Sequence, residues 1–135
     1  MKHFIDASIL VEACLAESRH FTAADALVKR DGAVTSAHAL AEAYATLSGD
    51  ARLKIKANDA AQMVTDLAHA LQVHALAAKT YIELIRDSPA KGITGGSFFD
   101  AIHAQAARET NCAEIHTLNV RHFKHVAPDL SVKGF

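Results

Sequence analysis

Short apolar runs alternate along this chain with longer segments of helical periodicity, and few folds accept that order. Lys2–Asp6 reads as a buried strand, after which Ile9, Leu10, Ala13 and Cys14 fall at helical spacing over about Ser8–Glu17. His20–Arg30 gives a second helix with Phe21, Ala24, Leu27 and Val28 on one face, ended by Asp31-Gly32. Ala33-Val34-Thr35 is the next strand, and Ser36 caps a helix from Ala37 to about Ser48 that stops at Gly49-Asp50. Asn58 or Asp59 opens a helix to Leu71, Gln72–Leu76 alternates polar and apolar as a strand does, and Ala78–Arg86 is helical up to Ser88-Pro89. Lys91–Gly96 is a glycine-rich loop, and Ser97 caps a helix to about Thr110. Ala113–Thr117 is a strand, Val120–His125 a helical turn and Leu130–Val132 an edge strand. Strands and helices in this order predict an α/β fold around a parallel sheet, whose ligands sit beyond the carboxyl ends of the strands.

Three acidic residues in this pattern stand in apolar settings. Asp6 ends His3-Phe4-Ile5, Glu42 is the only charged residue between Ser36 and Ser48, and Asp100 follows Phe98-Phe99. An ionised carboxylate near a core costs several kcal/mol unless a cation compensates. With no Arg or Lys beside them, three such residues point to a bound metal ion and so to phosphate chemistry. Asp6 follows the first strand, Glu42 lies on the helix after the second, and Asp100 lies in the first turn of a helix after a loop. Asn119 lies just past the strand ending at Thr117, so the topology lets all four reach one sheet edge.

Each residue also has an ordinary reading. Asp6 with Ser8 fits a helix N-cap, and Ser97-Phe98-Phe99-Asp100 fits a reciprocal capping pattern with an acid shorter than the usual Glu. On the Ala37–Ser48 helix, Leu40, Tyr44 and Leu47 form an apolar stripe. His38, Glu42 and Thr46 make a thin polar line where a solvated face would carry more charges, although Glu42 facing water is the alternative. His103, one turn after Asp100, either lines the site or is a satisfied surface or boundary residue. The run Arg121-His122-Phe123-Lys124-His125 and the alternation Arg52, Lys54, Lys56 are weak basic patches, to be read as solvated faces or phosphate contacts. The stripes Phe21–Val28 and Met63–Leu71 are core or partner surface.

The chain has 135 residues, half of them hydrophobic, which fits one ordered domain with a full core. Its net charge of −1 does not announce a nucleic-acid partner, so any such partner needs a local basic patch or a metal. The two cysteines, Cys14 and Cys112, have neither zinc nor disulfide-framework spacing and are read as buried, reduced core residues. Asp6 interrupts the N-terminal apolar stretch, which argues against a signal peptide. No apolar run approaches the ~20 residues of a membrane span, so a cytoplasmic location is expected.

Four of these stretches carry a family resemblance. Phe4-Ile5-Asp6-Ala7-Ser8-Ile9-Leu10 resembles the opening strand of PIN-domain nucleases, and Ala41-Glu42 resembles their second acidic position. Gly95 to Ala104, with Asp100, resembles their third motif, and Thr117-Leu118-Asn119-Val120-Arg121-His122-Phe123 their fourth. The short length is similar to VapC-type toxins of toxin–antitoxin pairs. The resemblance implies a three-layer α/β/α sandwich with a mostly parallel sheet and an Mg2+- or Mn2+-dependent ribonuclease. Asp6 and Asp100 would be the principal metal ligands and Glu42 would complete the acidic cluster. Asn119 stands at a fourth position where the family often has Asp, so a second metal would be held less tightly. Thr117 and Ser8 would support the cluster by hydrogen bonds. It further implies an RNA substrate, a small antitoxin partner and a homodimer, with Ile9, Leu10, Phe21, Leu27 and Val28 as candidate antitoxin contacts or plain core.

Two other classes stay in view. One is a PIN-like RNA- or protein-binding module without catalysis, motivated by Asn119 and the absence of a strong basic surface. The other is a doubly wound phosphotransfer protein, against which stands Ser8, where a dehalogenase-type phosphatase needs a second Asp.

Overall fold

The computed structural model describes residues 1–135. Five short strands form one all-parallel sheet: β1 (His3–Ile5), β2 (Ala33–Ser36), β3 (Gln72–His74), β4 (Glu114–His116) and β5 (Ser131–Lys133). Their order is β3-β2-β1-β4-β5. The chain therefore steps outward from β1 to β3 and then crosses to the other side of β1. That reversal puts the topological switch point at the carboxyl ends of β1 and β4, where a parallel sheet opens a crevice.

Helices cover both faces, giving the three-layer α/β/α sandwich. α1 (Ala7–Ala13), α2 (Phe21–Lys29), α3 (Ala37–Gly49) and α4 (Ala57–Ala70) pack on one side with Ile5, Ile9, Leu10 and Leu47 in the core. α5 (Ala78–Asp87), α6 (Ser97–Glu109) and α7 (Val120–Val126) pack on the other with Phe4, Val34, Ile102, Ile115 and Phe123. Phe4 and Ile5 enter opposite cores because successive strand side chains point to opposite faces. Both are fully buried, which is why β1 reads as a continuous apolar run rather than an alternating one. Burying a side chain of this size contributes roughly 1.5–3 kcal/mol. No helix is long and apolar enough to cross a membrane.

Several local expectations need correction. α1 ends at Ala13, not near Glu17, because the Cys14 N–H turns back to Val11 and Glu12 and tightens the last turn. On α3 the buried face is Ala39, Ala43 and Leu47, while Tyr44 is 39 % exposed and lines an apolar groove between α3 and α4 with Leu40, Ala61 and Val64. Ser97 does not cap α6: Gly96 holds that position without a side-chain bond, and Ser97 Oγ donates back to the Thr94 carbonyl at 2.7 Å. Cys112 is buried, but Cys14 is only partly so. Of the two readings open for the first helices, plain core holds for Ile9, Leu10 and Val28, which are interior, while Phe21 and Leu27 are half-buried.

Candidate active site

β1 delivers Asp6 to the switch point as the N-cap of α1. Its Oδ2 accepts from the Ser8 N–H at 3.4 Å, from Ser8 Oγ at 2.8 Å and from Thr117 Oγ1 at 2.8 Å. Capping and site membership are therefore not alternatives here, because one oxygen serves the cap. The other, Oδ1, takes none of these bonds and lies 3.8 Å from His103 Nε2. Three donors on a side chain only 3 % exposed offset much of the cost of burying its charge. Ser8 and Thr117 are themselves pinned across the sheet: Ser8 Oγ accepts from the Leu118 N–H at 3.0 Å, and Thr117 Oγ1 accepts from the Asn119 N–H at 3.0 Å. The turn after β4 is thereby tied to the turn after β1.

Asp6, Ser8, Glu42, Asp100 and Asn119 line one cavity of about 320 Å³, together with Glu12 and Thr46. An adjoining cavity of about 790 Å³ shares Glu42, Asp100 and Asn119 and is walled by Phe99, Arg121, His122 and His125. The four candidates from remote stretches thus meet in one cleft. The polar line on α3 faces the same way, since Glu42 and Thr46 both reach the smaller cavity. Of the basic patches, Arg121, His122 and His125 wall the larger cavity. Arg52 is engaged with Asp50 at 2.9 Å at the far end of α3, and neither Lys54 nor Lys56 lines the cleft.

Asp100 is half-buried, and its carboxyl is pushed up from 3.8 to about 6. Burial is the main cause, followed by the neighbouring Asp6 carboxylate and then Glu42; His103 and His122 pull the other way. A carboxyl that resists ionisation beside two other acids marks a place where a cation would be favoured.

His103 is the group whose weight the sequence concealed. It is fully buried beside the acids rather than a boundary residue. Its Nε2 contacts Glu42 Oε1 at 2.7 Å and its Nδ1 meets Ser36 Oγ at 2.9 Å. Ser36 Oγ already accepts from the Ala39 N–H at 2.9 Å, so its hydroxyl hydrogen is free to donate to Nδ1. A neutral ring then carries its proton on Nε2 and donates it to Glu42. His38 adds a second ring, 3.4 Å from the same Glu42 oxygen but not aligned as a hydrogen bond. Burial is the leading cause that pulls the His38 pKa below its ordinary value, with Glu42 opposing it. The only available signal for His103 was its place one turn after Asp100. Glu12, four residues after Ser8 on α1, is a second lining residue that no motif singled out.

The donor set is oxygen-rich and anionic, which suits a hard divalent cation such as Mg2+ or Mn2+. As the side chains stand, no three His, Cys, Asp or Glu groups converge tightly enough to enclose an ion. The Glu42 carboxylate is engaged by His103 at 2.7 Å.

The PIN domain profile matches residues 3–128. No curated protein matches the chain by sequence. Among solved structures, the chain resembles VapBC2 from Rickettsia felis bound to a DNA fragment from its promoter, at 22 % identity and TM-score 0.70 over 100 % of this chain and 99 % of that one. It also resembles VapC20 of Mycobacterium tuberculosis, a sarcin-ricin loop cleaving toxin, at 20 % identity and TM-score 0.68 over 84 % of this chain and 87 % of that one. A third similar fold is PAE2754 from Pyrobaculum aerophilum, at 19 % identity and TM-score 0.68 over 98 % and 83 %. A match across nearly the whole chain, on a fold that carries its acidic residues to one sheet edge, means that this protein belongs to the PIN domain family.

Proposed function

We propose that this protein is a divalent-metal-dependent endoribonuclease and the toxin of a toxin–antitoxin pair. The observation that carries the reading is the meeting of Asp6, Glu42, Asp100 and Asn119, from four separate stretches, in one cleft beyond β1 and β4. The likeness to VapC20 and VapBC2 supports the toxin assignment.

In this reading Asp6 Oδ1 and Asp100 are the principal ligands, and Glu42 joins directly or through water. When bound there, Mg2+ or Mn2+ supplies an activated water and neutralises charge on the scissile phosphate. Ser8 and Thr117 hold Oδ2 of Asp6, so its remaining oxygen is presented to the cleft in a fixed direction. His103 holds Glu42 through Nε2 and fixes where that carboxylate can swing. Arg121, which lines the larger cavity, neutralises the RNA backbone, and His122 beside it offers a hydrogen-bond donor. The amide of Asn119 makes no capping bond on α7 and offers an uncharged oxygen to the same space.

The antitoxin is assigned to the apolar groove between α3 and α4, where Leu40, Ala41, Tyr44 and Ala61 offer apolar surface. The homodimer is assigned to α5, whose Ile82 and Ile85 stand 66 % and 58 % exposed with no partner in the fold. The test is cleavage of single-stranded RNA by antitoxin-free protein in Mg2+ and in EDTA, alongside Asp6→Ala and Asp100→Ala. The expected result is metal-dependent cleavage that both substitutions abolish. A second reading, a PIN-like binding module, draws on Glu42 being engaged by His103 rather than open to a metal. RNA binding without cleavage by the unaltered protein would select it.

A further inference from the structure

The first turn of α6 carries two adjacent phenylalanines with opposite fates. Phe98 packs against the core formed by α5, α6 and α7. Phe99 is 44 % exposed and is the one hydrophobic residue lining the larger cavity, whose other walls include Arg121, His122 and His125. An exposed aromatic ring costs solvation energy, and helix formation does not require one there. This ring also has an aromatic neighbour. The His38 ring lies 4.9 Å behind it at an interplanar angle of 32°. The ring thus has an aromatic neighbour on one side and lines a ligand-sized cavity in which Arg121, His122 and His125 stand with the acids Glu42 and Asp100.

From this arrangement we infer that Phe99 is a stacking platform for one unpaired nucleobase of a single-stranded RNA, placed beside the phosphate that is cut. This rests on the ribonuclease reading and deepens it by naming what the cleft recognises. Charge complementarity selects the occupant. Arg121 and the two histidines suit a phosphate backbone, while the aromatic face suits a base, and a nucleotide needs both. Neither feature suffices alone, because the chain as a whole carries a net charge of −1 and cannot attract RNA by bulk charge. A base within a duplex is covered on both faces and has no surface left for the ring. The platform therefore selects loops and single strands by accessibility, and it tolerates any base because every base has a π-face.

The experiment uses the full chain, which contains no tryptophan. Phe99→Trp installs the chain's one indole at the platform, and titration with a short single-stranded RNA in EDTA should quench its emission on excitation above the tyrosine absorption band. A duplex of the same sequence should not. Phe99→Ala should weaken binding of the single strand roughly tenfold to a hundredfold and raise KM for cleavage in Mg2+ more than it lowers kcat. An oligonucleotide abasic at the stacked position should bind the unaltered protein and Phe99→Ala alike, a loss of coupling that a merely structural role for the ring would not produce. Unchanged melting temperature for Phe99→Ala checks that folding is intact. Indole fluorescence of Phe99→Trp that stays unquenched by the single strand, or equal RNA affinity of Phe99→Ala and the unaltered protein, overturns the inference. So does a change in sedimentation of Phe99→Ala without a change in RNA affinity, which would make the ring a protein contact. If the unaltered protein cleaves RNA in Mg2+ while Phe99→Ala is equally efficient, the platform fails and the nuclease stands. If the unaltered protein never cleaves, the nuclease reading fails whatever Phe99 does.

Discussion

Asp100→Asn should stabilise the metal-free protein at neutral pH while removing its activity. The folded state holds the Asp100 carboxyl at about 6, against 3.8 for an unhindered one. A carboxyl raised on folding favours the native state while it stays protonated, and that advantage disappears as pH climbs through the folded value. Each pH unit of difference is worth about 1.4 kcal/mol, so the ceiling for ionised Asp100 is about 3 kcal/mol of destabilisation at pH 8. The side chain is only half-buried, and solvent screening reduces the figure to about 1–2 kcal/mol. For a chain of this size that corresponds to about 3–6 °C in melting temperature. The assay is thermal unfolding of both proteins in EDTA at pH 5 and pH 8. The Asn variant should melt higher at pH 8, and the gap should fall to about half at pH 5, where native Asp100 is mostly protonated while the unfolded chain's carboxyl is ionised. Any pH-independent cost of the amide cancels in the comparison between the two pH values. Adding Mg2+ at a hundred times its dissociation constant should then raise the unaltered protein by about 2.7 kcal/mol and leave the variant nearly unmoved. A gap equal at both pH values, or an unaltered protein more stable than the variant at pH 8 in EDTA, would refute the argument that burial and the neighbouring acids resist ionisation of Asp100.

Thr117→Val removes the buried donor to Asp6 Oδ2 and should cost about 1–2 kcal/mol of stability, read by urea denaturation, and should also weaken Mg2+ binding in calorimetry. His103→Leu keeps the volume but releases Glu42; the fold should survive, and the metal dependence of cleavage should shift to higher Mg2+ because Glu42 loses its anchor. Tyr44→Asp places a charge in the groove between α3 and α4, and should abolish neutralisation by the cognate antitoxin while leaving RNA cleavage intact. Ile82→Asp on α5 should convert a dimer to a monomer in sedimentation at micromolar concentration, with the melting temperature of the monomeric fold little changed.

Much of the layout was legible from periodicity. The strand–helix alternation carried the parallel sheet, and an acidic residue at the end of an apolar strand marked the crevice. Asp6, Glu42 and Asp100 stood out as acids in apolar settings and Asn119 by its place just past a strand, and all four line one cleft. His103 was not, because its environment is made by Ser36 and Glu42 on another element, and no spacing along α6 reports that. The failed capping pattern at Ser97 shows the limit of local signatures: Thr94 competes for the same hydroxyl from three residues back. Helical spacing placed Ile9, Leu10 and Val28 on apolar faces but could not say whether sheet or solvent lay opposite. The exposed edge of α3 was misread for the same reason, since a line of alanines serves equally as a close-packed interface or as the floor of a groove.

Ser36 carries a longer consequence. A single hydroxyl both begins α3 and sets the proton on the ring that grips Glu42. Fraying of that helix end would therefore also loosen the ring beside Glu42, because one atom answers for both.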